Sequence, residues 1–183
     1  MRHARDAGAL DRRDGDNPSY FQHPKRPVEQ VSWDDAQKFL QKMNAGVPGL
    51  DLVLPTEAQW EYACRAGTKG AANYAGGAGE LANIAWFDEN SGGKTQPVAT
   101  KPCNAWGLYD MLGNVWEWCA DGTRSYTAEP VADPVGPLDS ASRARRGGSW
   151  YSNARFVRAA NRYGIARVYR CNLIGFRCAC VRP

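Results

Sequence analysis

Residues 145–183 read RRGGSWYSNARFVRAANRYGIARVYRCNLIGFRCACVRP, a stretch in which Gly, Ala and Arg anchors alternate with residues that look freely chosen. Residues 1–150 contain 29 Lys, Glu, Gln, Met and Trp, a rate that gives about six in the next 33 residues. Those 33 residues contain none, yet they keep seven Arg. Besides the start Met, these five types are the sense residues that a codon ending in a pyrimidine cannot encode. Packing does not exclude Lys and Glu while keeping Arg, so the absence points to a process acting on codons.

The same stretch makes structural sense. Ile174, Phe176, Cys178 and Cys180 alternate with Gly175, Arg177, Ala179 and Val181, the period of one strand with a face on the core. Cys178 and Cys180 then read as buried thiols. Trp150, Val157, Ala159 and Ala160 read as further core, and Gly147 and Gly148 permit a tight turn.

Working outward, 183 residues with 43% hydrophobic and 11% aromatic content suit one domain with an ordinary core. The net charge of +4 is uneven, because the last 33 residues carry seven Arg and no acid. A basic end of this kind faces phosphates or acidic partners, or its Arg forks tie loops to carbonyls and carboxylates; the second is the commoner case. No window has the apolar length of a membrane span, and residues 1–16 are too charged for a secretory signal, so a cytoplasmic chain is the default. Cys64, Cys103, Cys119, Cys171, Cys178 and Cys180 form no CxxC pair, which favours reduced thiols. With only His3 and His23, a histidine-rich metal centre is excluded.

Residues 1–16 are expected to be a mobile arm, and 17–183 a single domain. In 31–44, Ser32 caps a helix with Asp34 and Asp35 in its first turn and Ala36, Phe39, Leu40 and Met43 at helical spacing; Asn44 and Gly46 end it. A short strand follows at 52–54. Thr56 and Gln59 then have capping-box spacing for a second helix that buries Trp60, Ala63 and Cys64 and stops at Gly67. Residues 68–79 read as Gly- and Ala-rich loop.

Five ordered segments then carry a resemblance: PVEQVSWDDA (27–36), LPTEAQWEYACRAGT (54–68), NAWGLYDMLGNVWEWCAD (104–121), RRGGSW (145–150) and IGFRC (174–178). In this order they resemble the signatures of the formylglycine-generating enzyme (sulfatase-modifying factor) family. The resemblance implies an α+β fold related to C-type lectins, with two helices, small twisted antiparallel sheets and much loop. The family's usual opening strands have no counterpart here.

The resemblance also sets a chemical test. Such enzymes bind copper(I) through two cysteines, five apart, just after the GGSW-like segment, and soft thiolates are what that ion requires. Here Ser152 holds the first place and valine the second, so copper-dependent oxidation of a substrate cysteine is expected to be absent. A related branch holds iron with three histidines, which this chain lacks after His23. An oxidative maturation enzyme without the cysteine pair stays open as the alternative.

What the tail resembles instead is the variable region of proteins diversified by retroelements, in which adenines of AAC-type codons are miscopied. The variable set inferred is Tyr151, Ser152, Asn153, Phe156, Tyr163, Gly164, Ile165, Val168, Tyr169, Cys171, Asn172 and Leu173. All are residues that pyrimidine-ending codons encode. Tyr151, Phe156, Tyr163 and Tyr169 offer rigid aromatic contact area, and Ser152, Asn153, Gly164 and Asn172 adaptable polar contact, as antibody loops do. Cys171 would be an exposed thiol.

The expectation is a non-catalytic protein that binds an unidentified protein or other macromolecular ligand at residues 145–183, with no membrane partner and no required cofactor. Nucleic acid is disfavoured because the Arg belong to the fixed scaffold. By resemblance, a structural calcium ion is implied at Asp110 and Glu117 with the carbonyls of Gly113 and Val115. The competing reading is a fold-holding carboxylate pair that caps amides and bridges to an Arg. Trp106, Trp116 and Trp118 are expected in the core and frame rather than as a stacking platform.

Overall fold

The computed structural model describes residues 17–69 and 78–180. Two reciprocal caps start its main helices. Ser32 Oγ accepts from the Asp35 N–H at 3.1 Å while the Asp35 carboxylate accepts from the Ser32 N–H at 2.9 Å, opening α1, Trp33–Gly46. Thr56 and Gln59 make the same exchange at 3.2 and 3.0 Å before α2, Glu57–Arg65. α1 buries Ala36, Leu40 and Met43, and α2 buries Trp60, Ala63 and Cys64. α2 ends where Ala66 takes a left-handed φ of 44°.

Between the helices lies β1, Leu52–Val53. The Asn44 side chain fixes it to the end of α1, donating to the Leu52 carbonyl at 3.0 Å and accepting from the Leu52 N–H at 2.9 Å. A further short helix, α3, spans Ala78–Ile84 within and beyond the segment read as loop, and Leu81 is fully buried on it.

A four-stranded sheet forms the centre, in the order β4-β3-β2-β5. Its strands are β2 (Trp116–Trp118), β3 (Ser142–Arg146), β4 (Arg162–Ala166) and β5 (Ile174–Phe176). β3 pairs antiparallel with β2 and β4, whereas β5 lies parallel to β2. Strand alternation therefore puts Tyr163, Ile165, Arg143, Arg145, Trp116, Trp118, Ile174 and Phe176 on one face. α1 packs there through Ala36 and Leu40. The other face carries Ala144, which joins a second core around Trp60, Phe87, Leu108, Cys119, Val157 and Ala159. The sheet thus has a core on each side.

Several expectations need correction. Residues 174–180 form two strands, because β6 (Ala179–Cys180) leaves the central sheet and pairs with β1. The break falls at Arg177, whose guanidinium turns to Glu117. Cys178 is accordingly only half-buried and Cys180 is exposed, so neither is a fully buried thiol. Trp116 and Trp118 are buried as expected, but Trp106 is 44% exposed and packs edge-on against Tyr62. Ala160 is half-buried, whereas Val157 and Ala159 are fully enclosed. The four-stranded sheet is mixed rather than antiparallel, through the β2–β5 pair, whereas the β1–β6 sheet is antiparallel. The arm expected at 1–16 and the strand position at Val181 lie outside the described residues. Among those residues, no helix is long and apolar enough to cross a membrane.

Candidate ligand-binding surface

Gly147 and Gly148, with φ of 96° and 80°, turn the chain out of β3 toward the tail. A Cβ on the first would meet the Trp60 ring at 3.1 Å and one on the second Val157 at 3.0 Å, so both glycines serve conformation and close approach. Beyond them Trp150 acts as a pin. Its indole Nε1 donates to the Asn172 carbonyl at 2.9 Å, its own carbonyl accepts from Ser91 Oγ at 2.8 Å, and its ring packs edge-on against Phe21.

From there the tail is held mainly through its backbone. The N–H groups of Gln30, Trp33, Asp88 and Trp116 donate to the carbonyls of Cys171, Arg167, Ser152 and Leu173 at 3.1, 2.9, 3.2 and 2.7 Å. These acceptors persist whatever side chain the residue carries. Two side chains of the inferred set also have local roles. Ser152 Oγ accepts from the Ser149 N–H at 3.0 Å, and Asn153 caps the 3₁₀ turn Ala154–Phe156 by accepting from the Arg155 N–H.

None of the twelve inferred positions is buried. Tyr151, Asn153, Phe156, Tyr163, Val168 and Tyr169 are exposed, and Ser152, Gly164, Ile165, Cys171, Asn172 and Leu173 are half-buried. Cys171 is thus only partly accessible. Ile165, Cys171 and Leu173 lean on the core that contains Trp116 and Ile174. Gly164 stands apart: alternation turns it to the opposite face from Tyr163 and Ile165, where a Cβ would lie 3.1 Å from Ser142 Oγ and 3.3 Å from the Thr123 side chain.

The tail's arginines are largely engaged internally. Arg162 pairs with Glu57, Arg167 with Asp34 at 3.3 Å, Arg170 with Asp35 at 2.6 Å and Arg177 with Glu117 at 2.5 Å. Arg158 donates to the Arg155 carbonyl at 2.6 Å. The Arg170 guanidinium, helped by the Ser32 bonds and opposed by burial, holds the Asp35 carboxyl well below the usual carboxylate range. This is the loop-tying role.

The residues implied for calcium are arranged as an ion pair. Arg177 Nε and Nη2 engage the two Glu117 oxygens at 2.5 and 2.7 Å, and Trp60 Nε1 donates to Oε2 at 2.5 Å. The same Nη2 reaches the Tyr109 carbonyl at 3.1 Å. Asp110 Oδ2 accepts from the Ala99 N–H at 2.7 Å, and burial pushes its carboxyl up from the ordinary value against that bond and Arg177. A guanidinium already neutralises this turn, so calcium here would have to share Glu117 with Arg177. As arranged, Glu117 is held by Arg177 and Trp60 and Asp110 caps the Ala99 amide, the arrangement of the competing ion-pair reading.

At the place of the copper-binding cysteines stand Ser152, bonded to Ser149, and Val157, fully enclosed in the core. Neither offers sulfur. Sequence reasoning missed one residue of this surface, Arg145. Its guanidinium lies 4.8 Å from the Trp116 ring centroid and 4.9 Å from that of Tyr163. The alternating Arg143 and Arg145 in β3 were the available signal, but only the folded chain shows which Arg has a carboxylate or carbonyl within reach.

Comparison with known proteins agrees with this geometry. The chain is 33% identical over 187 residues to the formylglycine-generating enzyme of Streptomyces coelicolor, covering 85% of this chain and 53% of the relative. It spans about half the length of the curated formylglycine-generating enzymes it matches. Among solved structures, Treponema denticola variable protein 1 superposes with a TM-score of 0.87 at 30% identity, over 97% of this chain and 82% of that one. PvdO from Pseudomonas aeruginosa gives 0.84 at 28% identity, over 97% and 78%. Residues 3–181 match the sulfatase-modifying factor enzyme 1-like domain, and the chain belongs to that family.

Proposed function

We propose that the chain is a non-catalytic ligand-binding protein whose C-terminal surface is diversified by a retroelement and displayed on a C-type-lectin-like scaffold. The observation that carries the reading is the mode of attachment. Scaffold N–H groups hold residues 152, 167, 171 and 173 through their carbonyls, and Trp150 holds 172 in the same way. Side chains at 152, 171, 172 and 173 can change while these backbone bonds stay. Half of the inferred positions are exposed, with three tyrosines and a phenylalanine among them, the composition of a surface that binds by rigid aromatic area.

The test is genomic. DNA flanking the gene is expected to hold a near-identical copy of the codons for residues 145–183 beside a reverse-transcriptase gene, differing from the coding copy where it has adenines. A genome without that copy removes the mechanism. The likeness to formylglycine-generating enzymes favours a second reading, an oxidative maturation enzyme without the cysteine pair. Substrate-dependent oxygen uptake, measured with and without copper(I) over a panel of peptides and small oxidisable molecules, tests that reading; no uptake is expected, and turnover with any of them would favour the enzyme.

A further inference from the structure

We propose that Arg145 is a carboxylate receptor built into this surface, and that its partners are proteins presenting an Asp or Glu side chain to it. The proposal rests on the binding reading above and names the chemistry of the partner.

Arg145 differs from the arginines around it. Arg143 donates to the carbonyls of Ser140 and Leu138, and Arg146, Arg162, Arg167, Arg170 and Arg177 have carboxylates. Among the described residues Arg145 has neither: its Nε is enclosed without a hydrogen-bond partner. The residue as a whole is half-buried, and of its guanidinium nitrogens only Nε is enclosed without a partner. Burial lowers its pKa from the ordinary arginine value, and the groups that oppose this are Cys171, Tyr163 and Tyr169, none of them a carboxylate.

A guanidinium held in this way lacks an anion but has a fixed plane. The Trp116 and Tyr163 rings contact the charge through their electron-rich faces, which favours the cation and shields it from water. What such a fork takes is a planar group with two acceptor oxygens, bound by two parallel N–H···O bonds. A carboxylate matches the two parallel donors of one fork, whereas phosphate sites gather several free cations, and Arg143, Arg167 and Arg170 are already engaged with carbonyls and carboxylates. Arg145 and Trp116 both lie outside the inferred variable set. Every variant then keeps the fork and its Trp116 stack, while Tyr163, Tyr169 and Cys171 around it change.

The test uses the full chain, with the Arg145 Nε–Hε resonance followed by NMR. N-acetyl-glutamate N-methylamide, the glutamine analogue and inorganic phosphate are titrated separately. The capped glutamate is expected to give a saturating shift at Arg145, with the glutamine analogue at least ~10-fold weaker, as for loss of a charge-assisted bond. Exposed Arg155 serves as the control that does not saturate. Arg145→Lys, which keeps charge and loses the fork, is expected to weaken glutamate binding. Equal shifts from both amides, or tighter binding of phosphate, overturn the proposal.

Libraries diversified at the twelve positions on the Arg145 and Arg145→Gln scaffolds, selected against an acidic folded protein, separate this claim from the one it rests on. Binders from the first that weaken at least ~10-fold on Arg145→Gln support it. Equal binders from both scaffolds sink the role of Arg145 and leave the surface reading standing. No binders from either folded library sinks the surface reading, and the titration still decides Arg145.

Discussion

Trp150 and Asn172, 22 residues apart, are joined by an indole N–H that donates to a backbone carbonyl at 2.9 Å. The bond closes the stretch inferred to vary into a loop, and it uses the side chain of Trp150 and the backbone of Asn172. Trp150→Phe is therefore expected to lower unfolding free energy by ~1–3 kcal/mol, since it leaves a part-buried carbonyl unpaired. Asn172→Ala keeps the acceptor and is expected to stay within ~0.5 kcal/mol. Urea denaturation of the two variants checks the contrast.

The exposed aromatics should separate binding from stability. Tyr151 and Tyr169 are 69% and 45% exposed, so replacing either with Ser is expected to change stability by less than ~0.5 kcal/mol. Gly164→Leu is the counter-case. Its new side chain would press on Ser142 and Thr123, and a loss of ~1–3 kcal/mol is expected from overpacking. Equal melting curves for the Tyr151 and Gly164 variants would refute this division of the surface.

Glu117 and Arg177 form a nearly enclosed pair, with side-chain exposures of 7% and 10%. Glu117→Gln leaves the guanidinium without its counter-charge and is expected to cost ~3–5 kcal/mol. If the pair does the work that calcium does in the resemblance, excess calcium and a chelator should give the same melting temperature. A calcium-dependent rise in melting temperature would instead show Glu117 shared with the ion.

Glu29 is fully buried, with Oε1 accepting from the Phe21 N–H at 2.7 Å and Oε2 without a partner. Burial outweighs the backbone bonds from Phe21 and Tyr20 and raises its pKa. A carboxyl raised in the folded state favours folding when protonated, and that contribution is lost as pH rises through the folded value. Glu29→Gln is thus expected to stabilise the fold at neutral pH, with the gain vanishing below the ordinary glutamate value. Melting temperatures of both proteins across pH 3–8 test the sign.

What the sequence revealed followed the range of the forces involved. The caps at Ser32 and Thr56 and the stripe of Trp60, Ala63 and Cys64 were legible because they depend on residues three or four apart. The split of 174–180 was not, because it is set by Arg177 meeting Glu117, 60 residues away in sequence. α3 was missed because a Gly- and Ala-rich stretch has little apolar periodicity, and Leu81 is ordered by the core it enters. For the surface, codon texture picked out positions none of which is buried. It could not show that Gly164 faces away from the others, nor that Arg145 stands without an acid.

Attaching a mutable segment by carbonyl oxygens has an evolutionary corollary. A copying process that rewrites several codons at once ordinarily ruins most of its offspring, since each substitution is a fresh chance to misfold. Where the attachment points are atoms that every amino acid carries, most offspring inherit a working frame, and selection can act on recognition alone. The constraint on diversity then shifts to the few places, such as Gly164, where the frame itself touches a rewritten side chain.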